Sequence, residues 1–229
     1  MNDCHATSAP PFPDALLRRI QAGGFIATLV VENADHAVPL ARALEAGGVT
    51  VLELTLRTDA AWECLRRIRA EVPGVLIGAG TVLQPAQVPR CLEAGAAFGV
   101  APGMNPQVVA EAHRVGLPFA PGICTPSDIE RALESGCRLM KFFPGEACGG
   151  LRFLRSIAAP YLHLGVQFLP LGGIGPDNAG QYLADPLVPA VGGSWLAPEA
   201  VLRRGDWPAV TALARQATEI VATARRVPT

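Results

Sequence analysis

The sequence predicts a (β/α)8 barrel, an α/β fold, with a helix leading into it. Three observations carry that expectation. Short apolar runs recur about every 20–30 residues, and there are about eight of them. Amphipathic helical stretches separate them, so strands and helices alternate along the chain. Each run is apolar on both faces, as parallel strands covered on both sides must be. Eight such units in roughly 200 residues fit a compact closed barrel. An open doubly wound sheet is the alternative.

The elements follow in order. Pro10, Pro11 and Pro13 suggest a loose arm over residues 1–11 that enters a helix. The strand runs fall at residues 25–31, 49–54, 75–78, 97–100, 117–120, 139–142, 166–169 and 188–191. Helical stretches fall at 36–45, 60–71, 85–93, 106–114, 126–134, 151–158 and 176–183, and a last one at 206–226 carries an arginine-rich end. Gly47, Gly95, Gly116 and Gly136 each close a helical stretch just before a strand, where a left-handed residue is expected. No linker or low-complexity segment interrupts the pattern. Residues 1–229 therefore read as a single barrel domain.

Composition narrows the function. Half of the 229 residues are hydrophobic and 17% are charged, with a formal net charge of −1. That suits a soluble chain with a full core, and it argues against nucleic acid as a partner. No apolar run reaches the ~20 residues a membrane helix needs. The first residues lack the basic start and apolar stretch of a signal peptide. The expected location is the cytoplasm. The six cysteines (Cys4, Cys64, Cys91, Cys124, Cys137, Cys148) form no C-x-x-C pair and read as reduced, buried thiols, with a metal or disulfide role as the alternative. The four histidines show no metal-binding spacing. Neither a metal nor a cofactor is expected.

In such barrels the chemistry sits where the strands end. Lys141 lies on the sixth run, and it is the only lysine; the other eighteen basic residues are arginine. Arginine makes ion pairs as well or better, but it cannot become a neutral amine. An amine on an apolar strand can add to a carbonyl. The structural alternative is a lysine paired with a buried carboxylate. Glu53 interrupts the apolar run Val51-Leu52-Glu53-Leu54. It reads as a general base, or as an ion-pair partner of Lys141 or Arg57. Arg57, just beyond, suits a planar carboxylate, and the Thr81 hydroxyl could bond the same group. Taken alone, Arg57 would be a surface arginine. Gly172-Gly173 and Gly192-Gly193-Ser194 follow the seventh and eighth runs, where barrels bind phosphate on backbone N–H groups; tight turns are the plainer explanation.

Taken together, the strings around Glu53 (Val51 to Thr58), Gly78-Ala79-Gly80-Thr81, Pro121-Gly122-Ile123, Lys141-Phe142-Phe143-Pro144 and Gly192-Gly193-Ser194-Trp195 resemble 2-keto-3-deoxy-6-phosphogluconate (KDPG) aldolase, a family that includes 4-hydroxy-2-oxoglutarate (KHG) aldolases. The resemblance covers nearly the whole chain. It implies a metal-free class I aldolase, usually a homotrimer. It cleaves a 2-keto-4-hydroxy acid to pyruvate and an aldehyde, either glyceraldehyde 3-phosphate or glyoxylate. It implies that Lys141 forms the Schiff base and Glu53 moves protons. Arg57 and Thr81 would hold the pyruvyl carboxylate, Pro102 would line the pocket, and the backbone at Gly172, Gly173 and Ser194 would hold phosphate.

Two departures stand out. Leu171 occupies the place of a family threonine that contacts substrate and helps set the hydroxyl configuration. Cys148 falls where the family pattern K-F-F-P-A-E-x-N-G-G has asparagine. The rival readings are a phosphosugar isomerase or synthase using Glu53 without a covalent lysine, and a non-catalytic barrel that binds a phosphorylated ligand.

Overall fold

The computed structural model describes residues 12–226. The expected loose arm, residues 1–11, lies outside the described residues. The chain begins with α1 (Asp14–Gly23) and then alternates strand and helix. The strands are β1 (Phe25–Leu29), β2 (Val51–Thr55), β3 (Leu76–Gly80), β4 (Gly99–Val100), β5 (Phe119–Ala120), β6 (Gly122–Ile123), β7 (Leu139–Phe142), β8 (Gln167–Pro170) and β9 (Val191–Gly193). All pairings are parallel, in the orders β5-β4-β3-β2-β1-β9 and β6-β7-β8.

The two sheets are parts of one closed wall. β5 and β6 are halves of a single barrel strand, interrupted at Pro121, which has no N–H to give a ladder. Its carbonyl still accepts from Lys141 N at 2.8 Å. At the other seam Leu171 bridges Gly192, joining β8 to β9. That makes eight barrel strands, as the sequence predicts.

The helices covering the wall are α2 (Ala37–Ala46), α3 (Ala61–Glu71), α4 (Gln87–Glu93), α5 (Pro106–Val115), α6 (Pro126–Glu134), α7 (Gly150–Ala158), α8 (Ala179–Leu183) and α10 (Trp207–Arg226). A short α9 (Glu199–Arg204) was not expected from the pattern. The eighth strand also lies three residues later than its apolar run suggested. Residues 188–190 are buried, but the first ladder partner is Val191, opposite Phe25.

One glycine expectation needs correction. Gly95, Gly116 and Gly136 take positive φ after their helices, but Gly47 does not (φ −89°); Gly48 does (φ 91°). Gly47 is needed for space instead. A Cβ there would lie 2.3 Å from Ala214 Cβ and 2.7 Å from Thr211 O, because α10 packs directly on this turn.

Two apolar layers result. The larger fills the space between strands and helices. The smaller lies inside the barrel and includes Ile26, Val51, Leu76, Phe98, Leu139 and Leu169. Ile20 of α1 is fully buried in this inner cluster, with Leu16 and Leu17 packed at its edge. The helix therefore plugs the end of the barrel where the strands begin. The opposite end, where they finish, is left for the site. Ile20→Ala should destabilise the fold by roughly 2–5 kcal/mol. Chemical denaturation would measure this, with the strand-end chemistry intact below the transition.

Candidate active site

Glu53 sits mid-strand on β2, with Thr28 and Gly78 as its register partners on β1 and β3. Lys141 sits on β7, opposite Gly122 of β6 and Leu169 of β8. The two strands face one another across the barrel. Lys141 Nζ donates to Glu53 Oε1 at 2.8 Å. Their side chains are 6% and 2% exposed, so this is a buried ion pair, and the described residues contain no other with both partners buried. Taking two charges from water is costly unless they meet in good geometry. The sequence offered Lys141 and Arg57 as partners for Glu53; the contact is with Lys141.

The neighbours of this pair are shaped to admit it. A Cβ on Gly80 would lie 2.1 Å from Glu53 Oε1 and 2.6 Å from its Cγ. Gly80 is thus the wall against which the carboxylate rests. Beneath it the Phe98 ring occupies the room left by Gly78, where a Cβ would meet the ring at 2.4 Å. The Phe143 ring flanks the amine, its centroid 5.4 Å from Lys141 Nζ.

Thr81 follows β3 directly after Gly80. It has φ 58°, the only positive φ at a non-glycine among the described residues. A β-branched residue pays about 1–3 kcal/mol for such a conformation, and it persists where the surroundings demand it. Arg57 follows β2. Its backbone is pinned, since Arg57 N donates to Thr55 O at 2.8 Å and Leu56 N to Gly80 O at 2.8 Å. Thr55 and Thr58 hydroxyls donate to Leu29 O and Val31 O. The Arg57 side chain is exposed and lines a cleft of about 530 Å³, together with Thr28, His36 and Ser194. This cleft opens at the strand ends of β1, β2 and β9. Pro102 follows β4 and rests against Gly122, whose Cβ would collide with Pro102 O at 2.2 Å.

The expected anion-binding glycines divide into two groups. Ser194 reaches the cleft with Arg57. Gly172 and Gly173 instead belong to the turn after β8, both left-handed at φ 89° and 83°. That turn is braced from two sides. Glu146 N donates to Gly172 O at 3.0 Å, and Tyr182 donates its hydroxyl proton to Glu146. Burial, and then that bond, pushes the Tyr182 phenol far above its ordinary range. Asn178 accepts from Gly175 N at 2.8 Å and donates to Gly173 O at 3.0 Å. Leu171 does not line the open cleft. It is 4% exposed, and its side chain fills the space over Gly192.

Four residues escaped the sequence reading. Phe143, Glu146 and Asn178 act on the position of others, and only neighbours in space reveal them. Thr28 is different: its hydroxyl is buried without a hydrogen-bond partner, beside Glu53 and facing the cleft. A threonine within the apolar run 25–31 was its only signal.

A model of the family described as KDPG and KHG aldolase matches residues 16–213. The chain belongs to the KDPG and KHG aldolase family. It is 44% identical over 200 residues to the KHG/KDPG aldolase of Escherichia coli, covering 87% of this chain and 93% of that one. It is 46% identical over 196 residues to the 2-dehydro-3-deoxy-phosphogluconate aldolase of Treponema pallidum, covering 86% and 92%. Two solved members of the family superpose closely. The KDPG aldolase of Legionella pneumophila, with pyruvate captured at low pH as a covalent carbinolamine intermediate, has a TM-score of 0.82 at 36% identity, over 87% of this chain and 96% of that one. The aldolase of Zymomonas mobilis with 3-phosphoglycerate has a TM-score of 0.82 at 38% identity, over 89% and 95%.

Gly80→Ala tests the geometry without removing a charge. The new methyl must displace the Glu53 carboxylate. A shift near 1 Å in a catalytic group can cost ~10²-fold in rate, whereas overpacking costs about 1–3 kcal/mol of stability. Steady-state kinetics and a melting curve on the same variant should show a large loss of kcat in a protein that still folds.

Proposed function

We propose that this chain cleaves a 2-keto-4-hydroxy acid to pyruvate and an aldehyde through a Schiff base on Lys141. The observation that carries this is the buried contact between the only lysine of the chain and Glu53, 2.8 Å long, inside a barrel open at the strand ends. A purely structural pair would gain nothing from lysine in a chain that uses arginine everywhere else.

The Lys141–Glu53 contact and the family relation support the following roles. Glu53 takes a proton from Lys141 Nζ, the neutral amine attacks the C2 ketone, and Glu53 returns the proton to the carbinolamine hydroxyl so that water leaves. The protonated imine draws the C3–C4 electrons as Glu53 takes the proton of the C4 hydroxyl, and the aldehyde departs. Glu53 then delivers a proton to C3 of the enamine, and water releases pyruvate from Lys141. Arg57 and Thr81 hold the pyruvyl carboxylate, and Pro102 lines the wall. Ser194, with the turn at Gly172 and Gly173, receives the far end of the substrate. KDPG and KHG are the preferred substrates, by the family relation. Leu171 presents no hydroxyl to the substrate, so a hydrogen bond of about 1 kcal/mol is missing from the aldehyde half.

Sodium borohydride in the presence of pyruvate tests the covalent step. The expected product is a reduced pyruvyl adduct on the peptide that holds Lys141. With no second lysine, only the chain's α-amine can compete. Lys141→Arg should abolish the adduct and lower cleavage by roughly 10³-fold or more. Glu53→Gln should still bind pyruvate but form the adduct slowly. A folded protein that binds pyruvate or phosphate and yields no adduct would return the site to a phosphosugar isomerase or a binding barrel.

We further infer a cytoplasmic enzyme that works as a homotrimer, from the same family relation. Sedimentation equilibrium should give three times the chain mass; a monomer that is fully active would rule the trimer out.

A further inference from the structure

Two sulfur atoms beside the catalytic strand are in close contact. Cys124 Sγ donates to Cys148 Sγ at 2.9 Å. Both residues are half-buried, while Cys64, Cys91 and Cys137 are buried. Burial pushes those three thiols up, to about 11, about 12 and about 12, and so keeps them unreactive.

The two close sulfurs are held by fixed backbone, not by loose loops. Cys124 leads into the capping box of α6: its N–H donates to Asp128 Oδ2 at 3.1 Å, and the Thr125 hydroxyl bonds the same carboxylate. Cys148 N donates to Pro144 O at 3.1 Å. A disulfide is about 2.05 Å long, so less than 1 Å separates the two sulfurs from bonding distance.

We propose that Cys124 and Cys148 are a modification site, a dithiol that a peroxide converts reversibly to an intrachain disulfide. A thiolate attacks one peroxide oxygen, the O–O bond breaks, and an alcohol or water leaves, giving a sulfenic acid. The second sulfur attacks the first, the S–O bond breaks, and water leaves carrying the remaining proton. The sulfur pair loses two electrons and the peroxide gains them. The hydrogen bond to Cys148, with burial second, pushes the Cys124 thiol up to about 11. Whichever sulfur meets the peroxide first, the other lies close enough to resolve it. Cys148 is also one of the places where the chain departs from its family's pattern.

The position gives the bond a consequence. Cys124 follows Ile123, which pairs with Phe142 beside Lys141. Cys148 ends the segment that carries Phe143 and Glu146, the groups that flank the amine and brace the Gly172 turn. The disulfide would tie the loop that leaves β6 to the loop that leaves the Lys141 strand. This proposal does not rest on the aldolase reading, because it is measured by mass.

The full-length protein, reduced and then exposed to hydrogen peroxide, would be alkylated under native conditions and mapped without reduction. The expected result is the loss of two reactive thiols and a cross-linked peptide pair holding Cys124 and Cys148, undone by dithiothreitol. Cys4→Ser should give the same pair. Cys124→Ser should accumulate a sulfenic acid on Cys148, captured by dimedone. Cross-links that instead join Cys4, or separate over-oxidation of Cys124 and Cys148 with no link between them, would overturn the proposal.

Discussion

The structure depends on holding two opposite charges where water does not reach. An isolated buried ammonium or carboxylate would cost several kcal/mol. Lys141 and Glu53 are tolerated inside the barrel because they meet each other, and they meet only because β2 and β7 stand on opposing walls at matching heights. Any slip of one residue on either strand would turn one of the charges outward into the helical layer. The barrel must therefore be rigid and correctly registered before it can be a site at all. Its inner apolar cluster and the α1 plug supply that rigidity from below.

The same requirement explains the small residues above the plug. β3 carries Gly78 and Gly80 on its inner face, one yielding room to the Phe98 ring and the other to the Glu53 carboxylate. Phe98 floors the site, and Gly80 sets the depth of the carboxylate. The next residue, Thr81, is driven into a left-handed conformation. Two layers of β3 and the residue that follows it thus give up side-chain packing or backbone comfort near one charge. Stability is instead taken from the outer layer, where the packing of α2, α3 and α10 is dense and apolar.

This division decides what could be read from sequence. The strands and helices were legible because each buries a periodic or continuous apolar run, and composition alone marks such runs. The buried pairing of Lys141 with Glu53 was legible because both break those runs, and because lysine is otherwise absent. The split of the fifth strand at Pro121 was not anticipated, since a strand with apolar flanks reads as continuous. Gly47 was misjudged because its reason is α10, distant in sequence, whose Thr211 and Ala214 leave no room for a Cβ there. The bracing of Gly172 and Gly173 by Glu146, Tyr182 and Asn178 leaves no local pattern. The sequence suggested only that glycines there approach something closely, and for Gly173 that something includes Glu146.

Leu171 shows how closure and specificity share one residue. As the last link of β8 to β9, position 171 must fill the space over Gly192, whose missing Cβ is matched by the leucine methyls. Leucine seals the barrel where a threonine would be shorter. Under the proposed function the lost hydroxyl bears on the aldehyde half of the substrate, because Lys141 and Glu53 are held by other strands. Thr28, two strands from β8 around the wall, holds a buried hydroxyl without a hydrogen-bond partner. A site assembled from eight strands can thus lose a hydrogen bond on one and hold a free hydroxyl on another while the covalent chemistry stays where it is.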